Sequence, residues 1–456
     1  MAEPVPVLDD WPEQTIRNHP IPGDRYTSRA FMEREWAGVW SRVWLLMGRE
    51  AELPAPGDWQ LETLGPEEIL MVRQADGTVK AFLNVCQHRG NPLVSEPKGS
   101  VKRRFVCRYH SWAWLPDGTL DFVPDRADFP QGDPCGHLRL PELRCETFAG
   151  FVWVNLDPDC VTLEEYLGPI HREWAAREFD GWRRTMANSM WLPCNWKVVL
   201  DNFNESYHVP TVHMAATPDT DRTRIHGAIN THYRETKFDL SEAGHNRMVM
   251  QGGFGVGATD AEGNLRGPII GQLRYWGLDP DDFRGEPERT RVALQQAKRR
   301  LGPERGFTHY ANVPDEQLTD AFHYTLFPNF AVSVWSDGFH FLRARPHPTD
   351  PEQCLFDNWW YASPAAIAAG PEANERGMGE PLISGEVPLR MLVHGEDSIG
   401  PAIEEDVAVF VTQQRGFRSR GYRGAYLAGQ ERRISRLHEL IDDWIAGADA
   451  AGESAP

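Results

Sequence analysis

No stretch of this 456-residue chain approaches the ~20 consecutive apolar residues that a membrane-spanning helix needs, and its mean hydropathy is −0.50. Positive charge is scarce. Lys and Arg number 47 against 66 Asp and Glu, a formal net charge of −19. Nucleic acids and anionic membranes are held by basic surfaces, so neither is expected as a partner. The seven cysteines are few, odd in number and widely spread, which does not describe a disulfide scaffold. The opening residues MAEPVPVLDDWPEQ lack the basic and apolar regions of a signal peptide, and a cytoplasmic location is expected. There is no GxxxxGK[ST] phosphate loop and no GxSxG elbow. Gly253-Phe254-Gly255-Val256-Gly257-Ala258 mimics a dinucleotide loop, but ATDAEGNLRGP follows it where an apolar helix is required.

What is present describes a globular protein. Hydrophobic residues make up 41% and charged residues 25%, and the length suits two or three domains at roughly 150 residues each. From Arg25 to Trp44, Phe31, Trp36, Val39, Trp40 and Val43 recur at helical spacing, with Thr27 or Ser28 as a cap. From about Leu45 to Leu156 the texture changes to apolar runs of four to seven residues (WQLETL, EILMVRQ, KAFLNVC, GFVWVNL) separated by PAPGD, ADGT and PDGT. Asp-Gly between such runs is a hairpin signal, so this is an all-β module. Residues 161–180 and Trp196 to His213 read as helical. Strand-like pieces such as AVSVWSDGFHFLRARP follow, and late helices from Ile403 and from Gly429. AGADAAGESAP reads as a frayed tail.

The β module holds Cys86-Gln-His88 and Cys107-Arg-Tyr-His110, with eighteen residues between His88 and Cys107. Zinc fingers group Cys with Cys and His with His, so this mixed pairing suits them poorly. A Rieske 2Fe–2S centre holds one iron by two thiolates and the other by two imidazoles, and each of two adjacent loops must reach both irons. Cys86 and Cys107 are therefore assigned to the ferric iron, His88 and His110 to the redox-active one. Cys135, Cys145, Cys160, Cys194 and Cys354 show no partner pattern and read as buried thiols.

A second cluster lies in Asp201-Asn-Phe-Asn-Glu205-Ser-Tyr-His208-Val-Pro-Thr-Val-His213. Glu205 and His208, three apart, would share a helix face. His213 would lie about 140° from His208 on an ideal helix, so the two converge only if the helix breaks, as Pro210 allows. Two imidazoles and one carboxylate with open positions form the facial triad of oxygen-activating ferrous enzymes. Asp406 is the best candidate for the carboxylate, since Val409 and Phe410 at i+3 and i+4 give it an inward face, while Glu404 and Glu405 can point to water. A rival set is His394-Gly-Glu396 with His438, although its flanks are turn-like. A chain with a one-electron cluster and no nicotinamide or flavin motif must take its electrons from another protein.

AFLNVCQHRGN and CRYHSWAWLPDG, FAGFVWVNLDP, NWKVVLDNFNESYHVPTVH and EEDVAVFVTQQRGFRSRGY, in that order, resemble the large (α) subunit of the Rieske non-haem iron oxygenases over nearly the whole chain. The resemblance implies an α+β protein: an all-β Rieske iron–sulfur domain and a helix-grip catalytic domain of antiparallel sheet and helices. The expected boundaries are 1–44 for an arm and helix packed with the catalytic domain, 45–160, 161–445, and a flexible tail at 446–456. His208, His213 and Asp406 match the family's ligands for Fe(II). A head-to-tail homotrimer is implied, in which the cluster of one subunit serves the iron of its neighbour, with or without a β subunit.

Two departures stand out. The usual run after the second cysteine is Pro-Tyr-His-Gly-Trp, and here it is Arg108-Tyr109-His110-Ser111-Trp112. Ring-dihydroxylating members usually place Asp three residues before the first iron histidine, whereas Glu205 stands here, as in monooxygenases and demethylases of quaternary ammonium compounds. Glu205 is expected to bridge His208 to the partner subunit's His110, with Asp201, Asn202 and Tyr207 supporting the iron ligands. Dioxygen and a small aromatic molecule would be the substrates, with a reductase, and in some systems a ferredoxin, as electron donor. Lys98, Lys102, Arg103, Arg104 and Arg108 crowd the second cluster loop and form a candidate dock for an acidic donor. His323, Phe327, Trp335 and Phe339 lie in strands that could face the pocket, although plain core is the readier reading. A Rieske electron carrier without oxygenase activity is the non-enzyme alternative.

Overall fold

The computed structural model describes residues 16–17, 19–213, 236–250, 259–260, 262–267, 269–370 and 387–453. The chain divides into two compact units. One comprises Glu33–Tyr166, His347–Thr349 and Trp444–Pro456, the other Met1–Met32, Leu167–Pro346 and Asp350–Asp443.

The first unit is built on short strands: β1 (Leu45–Arg49), β2 (Asp58–Leu64), β3 (Glu67–Arg73), β4 (Val79–Leu83), β5 (Lys98–Ser100), β6 (Phe105–Val106), β7 (Ala113–Trp114), β8 (Leu120–Phe122), β9 (Glu142–Phe148) and β10 (Phe151–Asn155). Among the described residues they form an antiparallel sheet in the order β1-β10-β9-β4-β3-β2-β5 and a small β6-β7-β8 sheet. The Asp76-Gly77 and Asp117-Gly118 turns do what their composition predicts. Gly77 and Gly118 take φ of +86° and +85°, a region open to glycine at no steric cost. Trp59, Leu70, Val72, Phe82, Trp112 and Trp114 pack into one core, and Cys86 and Cys107 are part of it.

The helix expected over Arg25–Trp44 is broken into α1 (Asp24–Thr27), α2 (Arg29–Glu35) and a π-helical turn at Trp36–Trp40. Ser28 interrupts it, and its hydroxyl accepts from the Phe31 N–H to cap α2. The line between the two units crosses α2 after Met32 and not at Trp44, so residues 33–44 go with the β module. The reason is local packing. The Trp36 ring fills the space where a Cβ on Gly65 would sit, and the Trp44 indole donates to the Val161 carbonyl at 2.8 Å.

The second unit is a sheet of β11 (Arg183–Leu192), β12 (Asn246–Met250), β13 (Ala321–Leu326), β14 (Phe330–Val334), β15 (Gly338–Pro346), β16 (Cys354–Ala362) and β17 (Arg390–Leu392), ordered β12-β13-β14-β15-β16-β11-β17. Neighbouring pairs are antiparallel except β11 with β17. Strands β12 to β15 are buried along their whole length, because both faces are covered. Helices precede and follow: α3 (Leu163–Leu167), α4 (Pro169–Ala175), α5 (Trp196–Phe203), α6 (Val209–Val212), α7 (Ile269–Tyr275), α8 (Arg289–Leu301), α9 (Pro364–Ala369), α10 (Pro401–Phe417) and α11 (Arg432–Glu453), of which α3 and α11 cross the division between units. The tail expected from residue 446 is helical through Glu453, since Ala446, Ala448, Ala450 and Ala451 are the strongest helix formers available. No described helix is long and apolar enough to cross a membrane.

Candidate functional site: two metal centres

The cysteine–histidine loops of the β module are built alike. Cys86 N–H donates to the Asn91 carbonyl at 2.9 Å and its own carbonyl accepts from Gly90 at 3.0 Å. Cys107 does the same with Trp112 at 2.8 Å and Ser111 at 3.0 Å. In each loop the fourth residue after the cysteine takes positive φ, Gly90 at +76° and Ser111 at +57°. Ser111 thus occupies a left-handed position that glycine fills more cheaply. The thiols end up in the core, and the imidazoles lie nearer the surface with ring centroids 4.6 Å apart. His88 stacks on Trp112 at 4.6 Å, which holds its ring plane. Burial is the largest cause raising the Cys86 thiol pKa, and the adjacent Cys107 adds to it. Burial also lowers His88, helped by the charges of His110 and Arg89. His110 Nδ1 is buried with no hydrogen-bond partner in the structure. Two thiols, two imidazoles and an orphaned ring nitrogen fit a Rieske cluster, which would satisfy that nitrogen by ligation.

The second centre lies in the other unit. Helix α5 starts at an Asn195 cap, whose side chain accepts from Lys197 N–H at 3.0 Å, and it ends at Phe203. Residues 204–208 are not helical, so Glu205 and His208 do not share a helix face. They meet in a turn. Glu205 Oε2 accepts the backbone N–H groups of Tyr207 and His208, while Oε1 accepts from His208 Nδ1 at 2.5 Å. Pro210 lies within the first turn of α6, which carries the chain to His213. The histidines converge because the helix breaks before Pro210, not at it.

Asp406 comes from α10. Its Oδ1 lies 3.4 Å from His208 Nε2 and 3.2 Å from His213 Nε2, and no hydrogen bond satisfies it. The three ligand atoms lie within 4.8 Å of one another. Ligands about 2.1 Å from one ion and at right angles would be about 3 Å apart, so the spacing suits a shared metal. Glu405, expected to face water, accepts from His213 Nδ1 at 2.8 Å. Each imidazole thus donates its Nδ1 proton to a carboxylate and turns Nε2 inward, the tautomer a metal needs. Burial alone would lower the His213 pKa, but Asp406 and Glu405 lift it to about 9. Glu404 caps the Ile399 N–H instead.

A mostly apolar cavity of about 210 Å³ opens beside the triad, larger than the roughly 150 Å³ hole that accepts benzene in an engineered core. Phe203, Met248, Met250, Trp335, Leu342 and Ile403 supply its apolar lining. His323 and Trp335 face it. Phe327 and Phe339 do not line it, and Phe339 packs on Phe179, Trp182 and Tyr361.

The other expected residues divide. Asn202 lines the cavity and its Nδ2 lacks a partner. Asp201 turns instead to Tyr26 Oη at 2.6 Å and His438 Nε2 at 3.2 Å. Tyr207 is half exposed and contributes its backbone N–H, to Glu205. The rival set does not assemble, since His438 is buried against Arg25, Tyr26 and Asp201 while His394 sits in an exposed turn. In the basic run Arg104 is paired with Asp121 at 3.0 Å, and Lys98, Lys102, Arg103 and Arg108 are exposed. Cys194 and Cys354, read as unpaired, have Sγ atoms 3.9 Å apart. The glycine loop at 253–258 lies outside the described residues.

Two family descriptions match the chain: "Rieske [2Fe-2S] domain" at residues 43–141 and "Ring hydroxylating alpha subunit (catalytic domain)" at residues 179–447. The chain belongs to the ring-hydroxylating α-subunit family. It is 30% identical over 349 residues to the biphenyl 2,3-dioxygenase α subunit of Rhodococcus jostii (strain RHA1), covering 72% of this chain and 66% of that one. The naphthalene 1,2-dioxygenase large oxygenase component of Pseudomonas putida is 33% identical over 211 residues, 44% of this chain and 45% of its own. The matches thus span from under half to about two thirds of these relatives. Among solved structures, the Rhodococcus sp. naphthalene 1,2-dioxygenase bound to indole superposes with a TM-score of 0.63 at 17% identity, covering 93% of this chain and 94% of that one. A quaternary ammonium Rieske monooxygenase in complex with L-carnitine gives 0.61 at 19%, covering 93% and 95%. The fold is therefore that of a Rieske oxygenase, and the family's groups are a Rieske 2Fe–2S cluster and Fe(II).

Proposed function

We propose that this protein is an oxygenase component that uses dioxygen and externally supplied electrons to hydroxylate a small aromatic molecule. The carrying observation is the His208–His213–Asp406 set, with both outer nitrogens held by carboxylates and an apolar cavity beside it. Cys86, His88, Cys107 and His110 would hold the cluster, and His208, His213 and Asp406 the mononuclear iron. When bound, the cluster passes single electrons and the ferrous iron, with only three protein ligands, supplies a centre for dioxygen activation. The chain's own residues do the rest. Glu205 and Glu405 fix the two rings and their tautomers, and the apolar wall excludes water from the reacting face.

Assembly as a homotrimer is part of this reading. Glu205 of one protomer would join His208 to the partner subunit's His110, giving electrons a short bridged route. Glu205 already holds His208 within the chain, which supports half of that bridge. The donor would be a reductase, with or without a ferredoxin, drawn to the exposed Lys98, Lys102, Arg103 and Arg108.

A second reading rests on Glu205 standing where ring-dihydroxylating relatives usually carry Asp: monooxygenation or demethylation of a quaternary ammonium or methoxy compound. The cavity favours the aromatic reading. Among the described residues that line it none is Lys or Arg, and Phe203 and Trp335 are the two with Phe, Tyr or Trp rings, thin material for a cation cage. The test is oxygen uptake by the reduced, iron-loaded protein on aromatic compounds and quaternary amines side by side. Uptake coupled to a hydroxylated arene supports the proposal. Uptake only with amines and release of formaldehyde overturns it in favour of the second reading.

A further inference from the structure

The sheet wall of the cavity carries a polar line across otherwise apolar strands. His323 on β13 pairs with Ser333 on β14, Ser333 with His340 on β15, and all three line the cavity. Their proton positions follow from their neighbours. The Phe203 carbonyl can only accept, so His323 Nε2, 2.7 Å away, carries the proton and donates it. Burial, the largest cause, drives the His323 pKa well below its usual value, so the ring is neutral and Nδ1 is a lone pair. Ser333 Oγ lies 2.8 Å from that Nδ1, so the hydroxyl proton points at His323. On the next strand, Asn358 Nδ2 donates to the Ile399 carbonyl at 3.0 Å, which leaves Asn358 Oδ1 to accept from His340 Nε2 at 2.5 Å. The protons of Ser333 Oγ, His323 Nε2 and His340 Nε2 are thus all spent inside the protein.

We infer that Ser333 Oγ presents only its lone pairs to the cavity, so this wall selects substrates bearing an N–H or O–H donor and disfavours ethers and carboxylates. The inference rests on the proposed oxygenase reading and narrows its substrate class to neutral aromatic rings that carry a hydrogen-bond donor. His323 acts through Ser333 and is a positioning residue: it fixes which way the hydroxyl points. An anionic group placed here meets lone pairs instead of protons, and an ether oxygen meets the same. A donor makes one neutral hydrogen bond in a water-poor setting, which is worth about tenfold in affinity. Asn202 Nδ2, an unspent donor, belongs to α5 and not to this wall.

Indole and benzofuran have nearly one shape and differ by N–H against O, so they are the probes. Their dissociation constants are measured anaerobically on the iron-loaded protein, and oxygen uptake is measured separately. Indole should bind about tenfold more tightly than benzofuran, although benzofuran, being less polar, would win in an indifferent apolar cavity. The preference should vanish in Ser333→Val, which fills the space and removes the oxygen, and persist in Ser333→Thr, which keeps it. Equal binding by the native protein, or a preference undiminished in Ser333→Val, overturns the inference. The expected ratio without oxygen uptake on any arene supports the inference and refutes the oxygenase reading, so the two failures are distinct.

Discussion

Glu405 is the residue whose role is most exposed to test. Its carboxylate holds the outer nitrogen of His213 at 2.8 Å and is about one-third exposed, at 33%, whereas the equivalent Glu205 on His208 is 8% exposed. Removing a charge-assisted bond of this kind costs about 1.5–3 kcal/mol, and removing a ligand's outer partner typically costs 10–100-fold in metal affinity. Solvent screening at Glu405 places its effect at the lower end, about tenfold for Glu405→Ala. Glu205→Ala should approach about 100-fold, because its group is more buried and also satisfies two backbone N–H groups. Glu405→Gln keeps an acceptor without the charge and should fall between native and Ala. The assay is anaerobic competition for ferrous iron against a chelator of known affinity. Affinities are measured across pH and compared at the limit where His213 is deprotonated, because Glu405 and Asp406 also hold a proton on His213, lifting its pKa to about 9 in the metal-free protein, and iron must displace that proton. Unchanged iron affinity in Glu405→Ala, or a loss larger than that of Glu205→Ala, would refute the reasoning.

Three further expectations follow from the same geometry. Glu205→Gln should leave both metals bound yet slow cluster-to-iron electron transfer, read by single-turnover spectroscopy; undiminished product formation refutes the bridge. Ser111→Gly relieves a left-handed residue and should stabilise the cluster loop by about 0.5–1 kcal/mol, seen as slower loss of cluster absorbance in urea; faster loss would show that the serine is needed there. Reversing the charge of Lys102 and Arg103 together should slow reduction by an acidic donor and flatten its dependence on ionic strength, whereas an equal rate at low and high salt in the native protein refutes electrostatic docking.

Much of this was legible in the chain because ligand chemistry is local in sequence. Cys86-x-His88, Cys107-x-x-His110 and His208 with His213 each sit within one loop, and Asp-Gly turns announced the hairpins between them. Asp406 was reached through its inward face at Val409 and Phe410, which the structure buries or half-buries in α10. What escaped the sequence depends on tertiary geometry. Glu405 adjoins Asp406 and is separated from His213 by 192 residues, so only packing of α10 near the 204–213 turn could show that it orients a ring. Ser28 was legible as a cap, whereas the helix break at Asn204 was hidden, because it depends on the Glu205 carboxylate accepting the Tyr207 and His208 N–H groups. The Ser333 line arises from cross-strand register, which has no signature in either strand alone, and the Cys194–Cys354 contact from the link after β11 folding back on β16.

The most direct test of the account is the iron and acid-labile sulfide content of the anaerobically loaded protein and of Asp406→Ala. The native chain should hold a two-iron, two-sulfide cluster and one separate iron, hence three irons to two sulfides, and Asp406→Ala two to two. Two irons in the native chain, or loss of sulfide together with iron in Asp406→Ala, would contradict two independent metal centres in one oxygenase.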